Sequence, residues 1–355
     1  MSDSIFIQIL LFPIAMLYKI VLLIRHQLFD WKIIRSKKFD IPIICVGNLS
    51  MGGTGKTPHV EYLIRLLSGK YRIGVLSRGY KRKTEGFVLA QKGVTANDIG
   101  DEPMQFFKKY DVMVAVDANR CEGVKKMLNQ ENAPEVIILD DAFQHRKIEA
   151  GLNILLTDYH KLYSDDYLFP VGKLRDVVSA AKRAQLIVIT KSPKIFSPFF
   201  VEEVKKKLKI KSYQQLFFSY LNYQAMVPVT KAAMALKDKS IRVIILFCAI
   251  ANPLPLKEYL SSICMDLIVF EYDDHHRFKK EEIESIRRKY DDTLGKKVII
   301  TTEKDLMRLV DTPEFEILKD TLLFYTPVEA CFHNKDLITF DNQILKYVKE
   351  NTKKC

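Results

Sequence analysis

The chain has 355 residues, 48% of them apolar and 28% charged. That is length for two or three domains at ordinary globular composition, which excludes a small stapled scaffold and a largely disordered chain. Lys and Arg total 55 against 43 Asp and Glu, a formal charge of +12, which favours acidic partners such as phosphates, anionic lipid heads or nucleic acid without choosing among them. The six cysteines, at 45, 121, 248, 264, 331 and 355, form no C-x-x-C pair. They read as free thiols in a reducing compartment and argue against a zinc site.

Residues Ile5 to Ile24 form an apolar run broken only by Gln8, Pro13, Tyr18 and Lys19, about the length that spans a bilayer as a helix. No Lys or Arg precedes it, whereas Lys19, Arg25, Lys32, Arg35, Lys37 and Lys38 crowd its far end. The positive-inside bias therefore places the domain beyond this run in the cytoplasm, and the polarity is opposite to that of a cleaved signal peptide. Residues 1–30 are expected to associate with membrane lipid, spanning the bilayer or lying in its surface, with Trp31 and Tyr18 suited to the interface.

Ile41–Val46 predicts a buried strand and Pro58–Leu67 a helix with Val60, Leu63, Ile64 and Leu67 on one face. Between them runs Gly47-Asn-Leu-Ser-Met-Gly-Gly-Thr-Gly-Lys-Thr57. Glycines at a strand-to-helix turn let backbone N–H groups point inward on a phosphate chain, at a helix N-terminus that favours anions. Ser50, Met51, Gly52, Gly53, Thr54, Gly55, Lys56 and Thr57 are thus the expected ATP loop. Lys56 would reach the β and γ phosphates and Thr57 the Mg²⁺ ion. The strict G-x-x-x-x-G-K-[ST] pattern is not met, because Ser50 stands where its first Gly would be. The shape is that of the deviant G-G-x-G-K-T loop.

Short apolar runs recur at Ile73–Ser77, Val112–Asp117, Val136–Asp140, Leu152–Asp158 and Leu186–Lys191, several separated by helical stretches. This rhythm predicts an α/β fold with a parallel sheet covered by helices on both faces. The run at 136–140 ends in Asp140 and Asp141, where a phosphate-loop protein holds its Mg²⁺ shell. Other strand ends and loops carry Arg78, Arg82, Arg120, Lys173 and Arg175, a candidate cationic rim for a phosphorylated substrate. Gly100-Asp101-Glu102-Pro103 places two carboxylates at a helix start, where capping alone could explain them.

From Ile241 the pattern restarts: strand Ile241–Phe247, helix Leu254–Ser262, strand Leu267–Tyr272, helix Lys279–Tyr290, strand Val298–Thr302. The expected division is a phosphate-loop unit over 31–215, linker strands over 216–240, and a smaller α/β domain over 241–355 whose terminal helix ends near Lys353 and Lys354. Asp273-Asp274-His275-His276 is the one histidine cluster. By itself it reads as a turn, because a metal site would need a third ligand that the spacing does not supply.

The ordered set Gly52–Pro58, Ser77–Tyr80, Gly100–Pro103, Asp140-Asp-Ala-Phe-Gln-His145, Gly172–Arg175, Asp274-His275 and Thr302-Glu-Lys-Asp305 resembles the tetraacyldisaccharide 4′-kinases of lipid A synthesis over nearly the whole chain. Ala142 departs from the Gly usual after the double Asp, and Ala249-Ile-Ala-Asn-Pro253 lacks the Gly that often precedes the Ile. The resemblance implies transfer of the ATP γ-phosphoryl group to the 4′-hydroxyl of a tetraacylated glucosamine disaccharide 1-phosphate at the cytoplasmic face of the inner membrane. Within it, Asp101 is expected to take the hydroxyl proton, His275 to bond and tune Asp101, and Lys56 to neutralise phosphate charge. His145 would orient the Asp pair or fill space, and His276 has no assigned role. A membrane-bound ATPase switch or metallochaperone is the alternative. Met51, where the switch branch carries a signature Lys, and the absence of Cys or His ligand pairs oppose it. No aromatic-basic stacking motif points to nucleic acid.

Overall fold

The computed structural model describes residues 2–236 and 241–352, with side chains from residue 10 onward except at 335. Lys353, Lys354 and Cys355 lie outside the described residues.

Strand Ile43–Asn48, buried at every position, runs through the middle of a nine-stranded sheet. It pairs in parallel with Val136–Asp140 on one side and Leu152–Asp158 on the other. Ile73–Ser77 and Met113–Val116 extend the first side, and Leu186–Thr190 and Gln215–Tyr223 the second, all in parallel. Antiparallel Val88–Leu89 and Val328–Phe332 close the two edges. The strands read as near-continuous Val, Ile and Leu because both faces are covered. Cys45, Leu139, Leu155 and Ile187 enter one apolar layer, and Ile44, Val46, Ile138, Ile154 and Val188 the other. The chain leaves the central strand toward one side and returns later on the other, so a crevice opens at that strand's carboxyl end.

A second sheet runs Asp266–Glu271, Val243–Cys248, Lys297–Thr302 and Leu323–Thr326 in parallel, with Val227–Pro228 antiparallel at its edge. Its helices Leu254–Ser261 and Lys280–Asp292 and its strands Val243–Cys248, Asp266–Glu271 and Lys297–Thr302 begin and end within two residues of the sequence expectation, which did not include the strand Leu323–Thr326.

The division of the chain differs from that expectation. The stretch expected as linker strands over 216–240 takes in all but the first residue of Gln215–Tyr223, a strand of the large sheet. Its alternation is imperfect because only Phe217, Phe218 and Ser219 are buried and the outer half is not. The segment 328–352 does not belong to the small domain either. Val328–Phe332 pairs with Gln215–Tyr223, and the helix Asn334–Asn351 lays Phe340, Ile344 and Val348 into the layer that holds Val60, Leu63, Ile64 and Leu67 of the helix Lys56–Leu67. Rings Phe332 and Phe340 stack at 4.2 Å, and Tyr62 donates to Asp341 at 2.6 Å. The small domain is therefore an insertion, entered near residue 224 and left near 327.

The N-terminal helix spans Ser2–Asp30, and its Leu10–Asp30 portion is long and apolar enough to cross a membrane. It touches the body along one narrow stripe, Ala15, Leu22, His26 and Phe29, while Leu10, Leu17 and Ile24 on its other sides are more than half exposed.

Phe340→Ala removes a ring that is 2% exposed, and such truncations cost about 3–5 kcal/mol. The expected loss appears in denaturant unfolding of the large sheet, together with faster amide exchange in Lys56–Leu67. A small domain that carried the helix would leave that exchange unchanged.

Candidate active site

The loop after the central strand turns on glycines at two points where another residue would be strained, Gly52 at φ 108° and Gly55 at φ 81°. Gly55 directly precedes the helix Lys56–Leu67, which has no side-chain cap, so its first N–H groups face the loop. Asn48 Nδ2 donates to Thr54 Oγ1 at 2.7 Å inside the turn. His59, one turn into the helix, bonds the Gly55 carbonyl through Nδ1 at 2.7 Å and Ser219 through Nε2 at 2.9 Å. Burial pushes the His59 pKa down to about 4, so the ring is neutral. The outer rim is backed by the Gly172–Arg175 turn: Met51 N–H donates to the Lys173 carbonyl at 2.7 Å, and Arg175 N–H to the Leu49 carbonyl at 2.8 Å.

Asp140 and Asp141 meet this loop with opposite electrostatics. Asp141, at φ 51°, receives Lys56 Nζ at 3.8 Å and both terminal nitrogens of Arg175, one of them at 2.9 Å. Burial opposes its ionisation, but Lys56, Arg175 and Arg120 hold the carboxyl below its ordinary range. Asp140 accepts from Ser77 Oγ at 2.8 Å. Burial, then the charge of Asp141, push it up to about 6, and the Glu102 carboxylate adds to the rise. Among the described residues no group of three or more His, Cys, Asp or Glu could hold a metal alone. Mg²⁺ takes one or two carboxylates with phosphate oxygens rather than a protein cage. The under-compensated Asp140, with Asp141 and the Thr57 hydroxyl, is the donor set such an ion would use.

Across the crevice, the helix Asp101–Lys109 of the large domain meets the helix Glu303–Leu309 of the small one. His275 Nδ1 lies 3.2 Å from Asp101 Oδ2, and Arg308 Nε donates to the same oxygen at 2.7 Å. Lys304 reaches His275 Nε2 at 3.2 Å and Glu102 at 2.9 Å. Burial would raise the Asp101 pKa, but the bond from His275 and the charges of Arg308 and Lys304 leave it below the ordinary value. His275 adopts φ 65° and donates its N–H to the Ala249 carbonyl at 3.3 Å. Asp305, fully buried, fixes this corner by accepting from Ala249 N at 3.0 Å and from Arg308 Nη1 at 2.9 Å.

The two domains are clamped beside the crevice. Gln105 Nε2 donates to Glu61 at 2.8 Å and Glu303 at 3.1 Å, and Lys109 Nζ to the same pair at 2.9 and 3.0 Å. Burial followed by the Glu61 charge pushes the Glu303 carboxyl up.

The expected rim divides in two. Arg78 and Lys173 are exposed. Arg120, 2% exposed, donates to the Asp117 carbonyl at 2.8 Å and bears on Asp140 and Asp141 through its charge, and Arg175 is bound to Asp141 and Asn48. Arg82 turns back onto the Val116 and Gly86 carbonyls. His145 does not bond the Asp pair: its Nε2 is buried without a partner, and burial with the charge of Arg120 takes its pKa down to about 4. His276 bonds Glu282 at 2.8 Å. Sequence reasoning missed Arg308, Lys304, His59 and the Glu61–Lys109–Glu303 clamp. Glu303 and Lys304 lie within the Thr302–Asp305 motif, which was the signal that could have found them, and Arg308 follows Asp305 by one helical turn.

A family model described as tetraacyldisaccharide-1-P 4′-kinase matches residues 7–348. The chain belongs to that family. It is 47% identical over 343 residues to the tetraacyldisaccharide 4′-kinase of Flavobacterium johnsoniae, covering 96% of this chain and 97% of the relative. The Bacteroides thetaiotaomicron enzyme of the same name is 42% identical over 356 residues, with 97% and 94% covered. A crystal structure of the "apo" form LpxK from Aquifex aeolicus in complex with ATP is similar at TM-score 0.72 and 25% identity, over 98% of this chain and all of that one. The phosphate loop is thus that of an ATP-dependent kinase of lipid A synthesis.

The Asp140 shift fixes a pH dependence. Its folded pKa of about 6 lies above the ordinary 3.8, so the stability this carboxyl contributes is present below about pH 4 and is lost as pH rises through about 6. Asp140→Asn cannot ionise. It should unfold at higher denaturant than wild type at about pH 7.5, by up to about 3 kcal/mol, and the gap should close near pH 4. A variant less stable at both values would contradict the assignment.

Proposed function

We infer that this chain transfers the γ-phosphoryl group of ATP to the 4′-hydroxyl of tetraacyldisaccharide 1-phosphate, in the crevice between Lys56 and Asp101. The observation that carries the reading is the pairing of a phosphate loop on the large domain with an Asp101–His275 contact that joins the two domains. Bound Mg²⁺ neutralises charge on the β and γ phosphates; Asp140, Asp141 and Thr57 are the residues proposed to hold it.

The loop N–H groups and Lys56 bind the phosphate chain. Lys56 is drawn to Asp141 without a close bond, so it can turn toward phosphate. Asp101 is kept ionised by Arg308 and His275. Both bonds fall on Oδ2, so Oδ1 is the oxygen that can accept from the 4′-hydroxyl and align it on the γ-phosphorus. A loose transition state asks mainly for this alignment and for charge stabilisation. His275 holds Asp101 in place, and its ring meets Tyr80 edge to face at 5.4 Å. Arg78 and Lys173, exposed beside the loop, are the rim cations proposed for the substrate phosphate. The exposed apolar faces of Leu10–Asp30 support attachment to the membrane that holds a lipid acceptor, and the flanking charges favour its cytoplasmic side.

The test is transfer of label from γ-labelled ATP to the disaccharide 1-phosphate, with product mapped to the 4′ position. Turnover of ATP indifferent to the acceptor would favour an ATPase switch instead. Lys56→Ala should fold normally and lose roughly tenfold to a thousandfold in kcat. Full activity in that variant would remove the phosphate-loop assignment.

Asp101→Asn should fold, bind ATP, and lose kcat far more than affinity. A helix-cap role would instead cost about 0.5–2 kcal/mol of stability with turnover kept. Because Asp101 and His275 act as one unit, the double variant with His275→Ala should be no slower than the worse single variant. Losses that multiply would show two independent roles.

A further inference from the structure

The N-terminal helix meets the body through a polar lock as well as apolar packing. His26 is 8% exposed, and its Nε2 lies 2.6 Å from Oδ1 of Asp176, which is fully buried. Asp176 also takes Arg183 Nη2 at 3.2 Å and the Val177 N–H at 2.9 Å. On the other side of the ring, Arg146 Nη1 donates to His26 Nδ1 at 3.1 Å and to the His26 carbonyl at 3.0 Å. A guanidinium has donors only, so Nδ1 accepts and Nε2 carries the proton given to Asp176. The imidazole is fixed at both nitrogens.

This lock sits against the phosphate loop. Asp176 directly follows Arg175, whose guanidinium bridges Asp141 and Asn48. Tyr18, two turns before His26, donates to the Arg175 carbonyl at 3.0 Å, so the helix holds the Arg175–Asp176 link at two points. A parallel line runs from Arg25 to the Gln144 carbonyl at 2.8 Å and from Gln144 Nε2 to the Asn48 carbonyl at 2.7 Å. Stability alone does not call for such a cluster, since apolar residues in a buried ionic site are often as stabilising.

We propose that His26, together with Tyr18, is a positioning residue for phosphoryl transfer, so that the seated N-terminal helix is part of the nucleotide site and not only an attachment to lipid. The proposal rests on the reading of the Asp141–Arg175 site as the phosphate site. Seating the helix fixes the Arg175 backbone, and Arg175 in turn sets Asp141 and the carbonyl of Asn48 at the foot of the loop. Small displacements of such groups lower turnover steeply.

The experiment uses the full-length protein in detergent micelles with His26→Leu, His26→Gln and Tyr18→Phe. The readouts are Mg-ATP affinity, kcat and KM for the lipid acceptor, and the share recovered in the membrane fraction. None of the exposed apolar residues changes, so membrane recovery and lipid KM should stay within about twofold of wild type. Tyr18→Phe should lose about threefold, and His26→Leu about tenfold or more, in kcat, with ATP affinity weakened in both. His26→Gln, whose amide can still donate to Asp176, should recover most of the loss.

ATP affinity and kcat within twofold of wild type in His26→Leu would overturn the proposal, as would a loss expressed only in lipid KM. If His26→Leu does not fold, unchanged ATP affinity and kcat in Tyr18→Phe overturn it. If wild type binds ATP but does not phosphorylate the disaccharide, the acceptor reading fails while ATP affinity in these variants still decides the role of the helix.

Discussion

Two adjacent carboxylates at the end of a buried strand set the terms for the rest of this molecule. Asp140 and Asp141 cannot both lose water and stay charged unless positive charge is brought to them. Lys56 arrives from the phosphate loop, Arg175 from the turn that backs the loop, and Arg120 from a neighbouring helix. Lys56 and Arg175 answer to Asp141, while Arg120 bears on both carboxylates through its charge. Asp140 has a hydroxyl partner in Ser77 and a raised pKa, and that imbalance supports the proposal that a divalent cation arriving with the nucleotide sits there. The loop, the backing turn and the helix that carries His26 are arranged around this demand.

The same logic repeats between the domains at a second acidic pair. Glu61 lies on the helix that starts at the phosphate loop, and Glu303 opens the helix that carries Lys304 and Arg308. Gln105 and Lys109, from the helix that starts at Asp101, satisfy both. Three helices whose first turns face the crevice are thereby fixed to each other a few residues behind it. The nucleotide loop, the proposed proton acceptor and the histidine corner share one rigid support, as alignment for phosphoryl transfer requires.

Much of this was legible in the sequence. The central strands and the phosphate-loop helix followed from apolar periodicity and glycine placement, and Asp140–Asp141 from the strand end on which they sit. The contact between Asp101 and His275, 174 positions apart, came from family resemblance and not from any local pattern. The return of 328–352 to the large domain was missed because a strand and an amphipathic helix carry no mark of which core receives them. His26 and Asp176 were missed for a related reason: one polar residue on an apolar helix has no local signature of its partner. Arg175 was read as a rim cation because its charge is visible in the sequence, whereas its bonds to Asp141 and Asn48 depend on the fold.

The inserted small domain is joined to the large one by two strand segments that run side by side. Gln224 N–H donates to the Pro327 carbonyl at 2.9 Å, Val328 pairs with Tyr223 just before the crossing, and Phe324 pairs with Pro228 just after it. A single tether would let a domain swivel in any direction, but a hydrogen-bonded ribbon bends across its face and resists twist. The covalent path itself therefore supplies an alignment guide that holds the angular bearing of the His275 corner on Asp101, in addition to the side-chain contacts across the crevice.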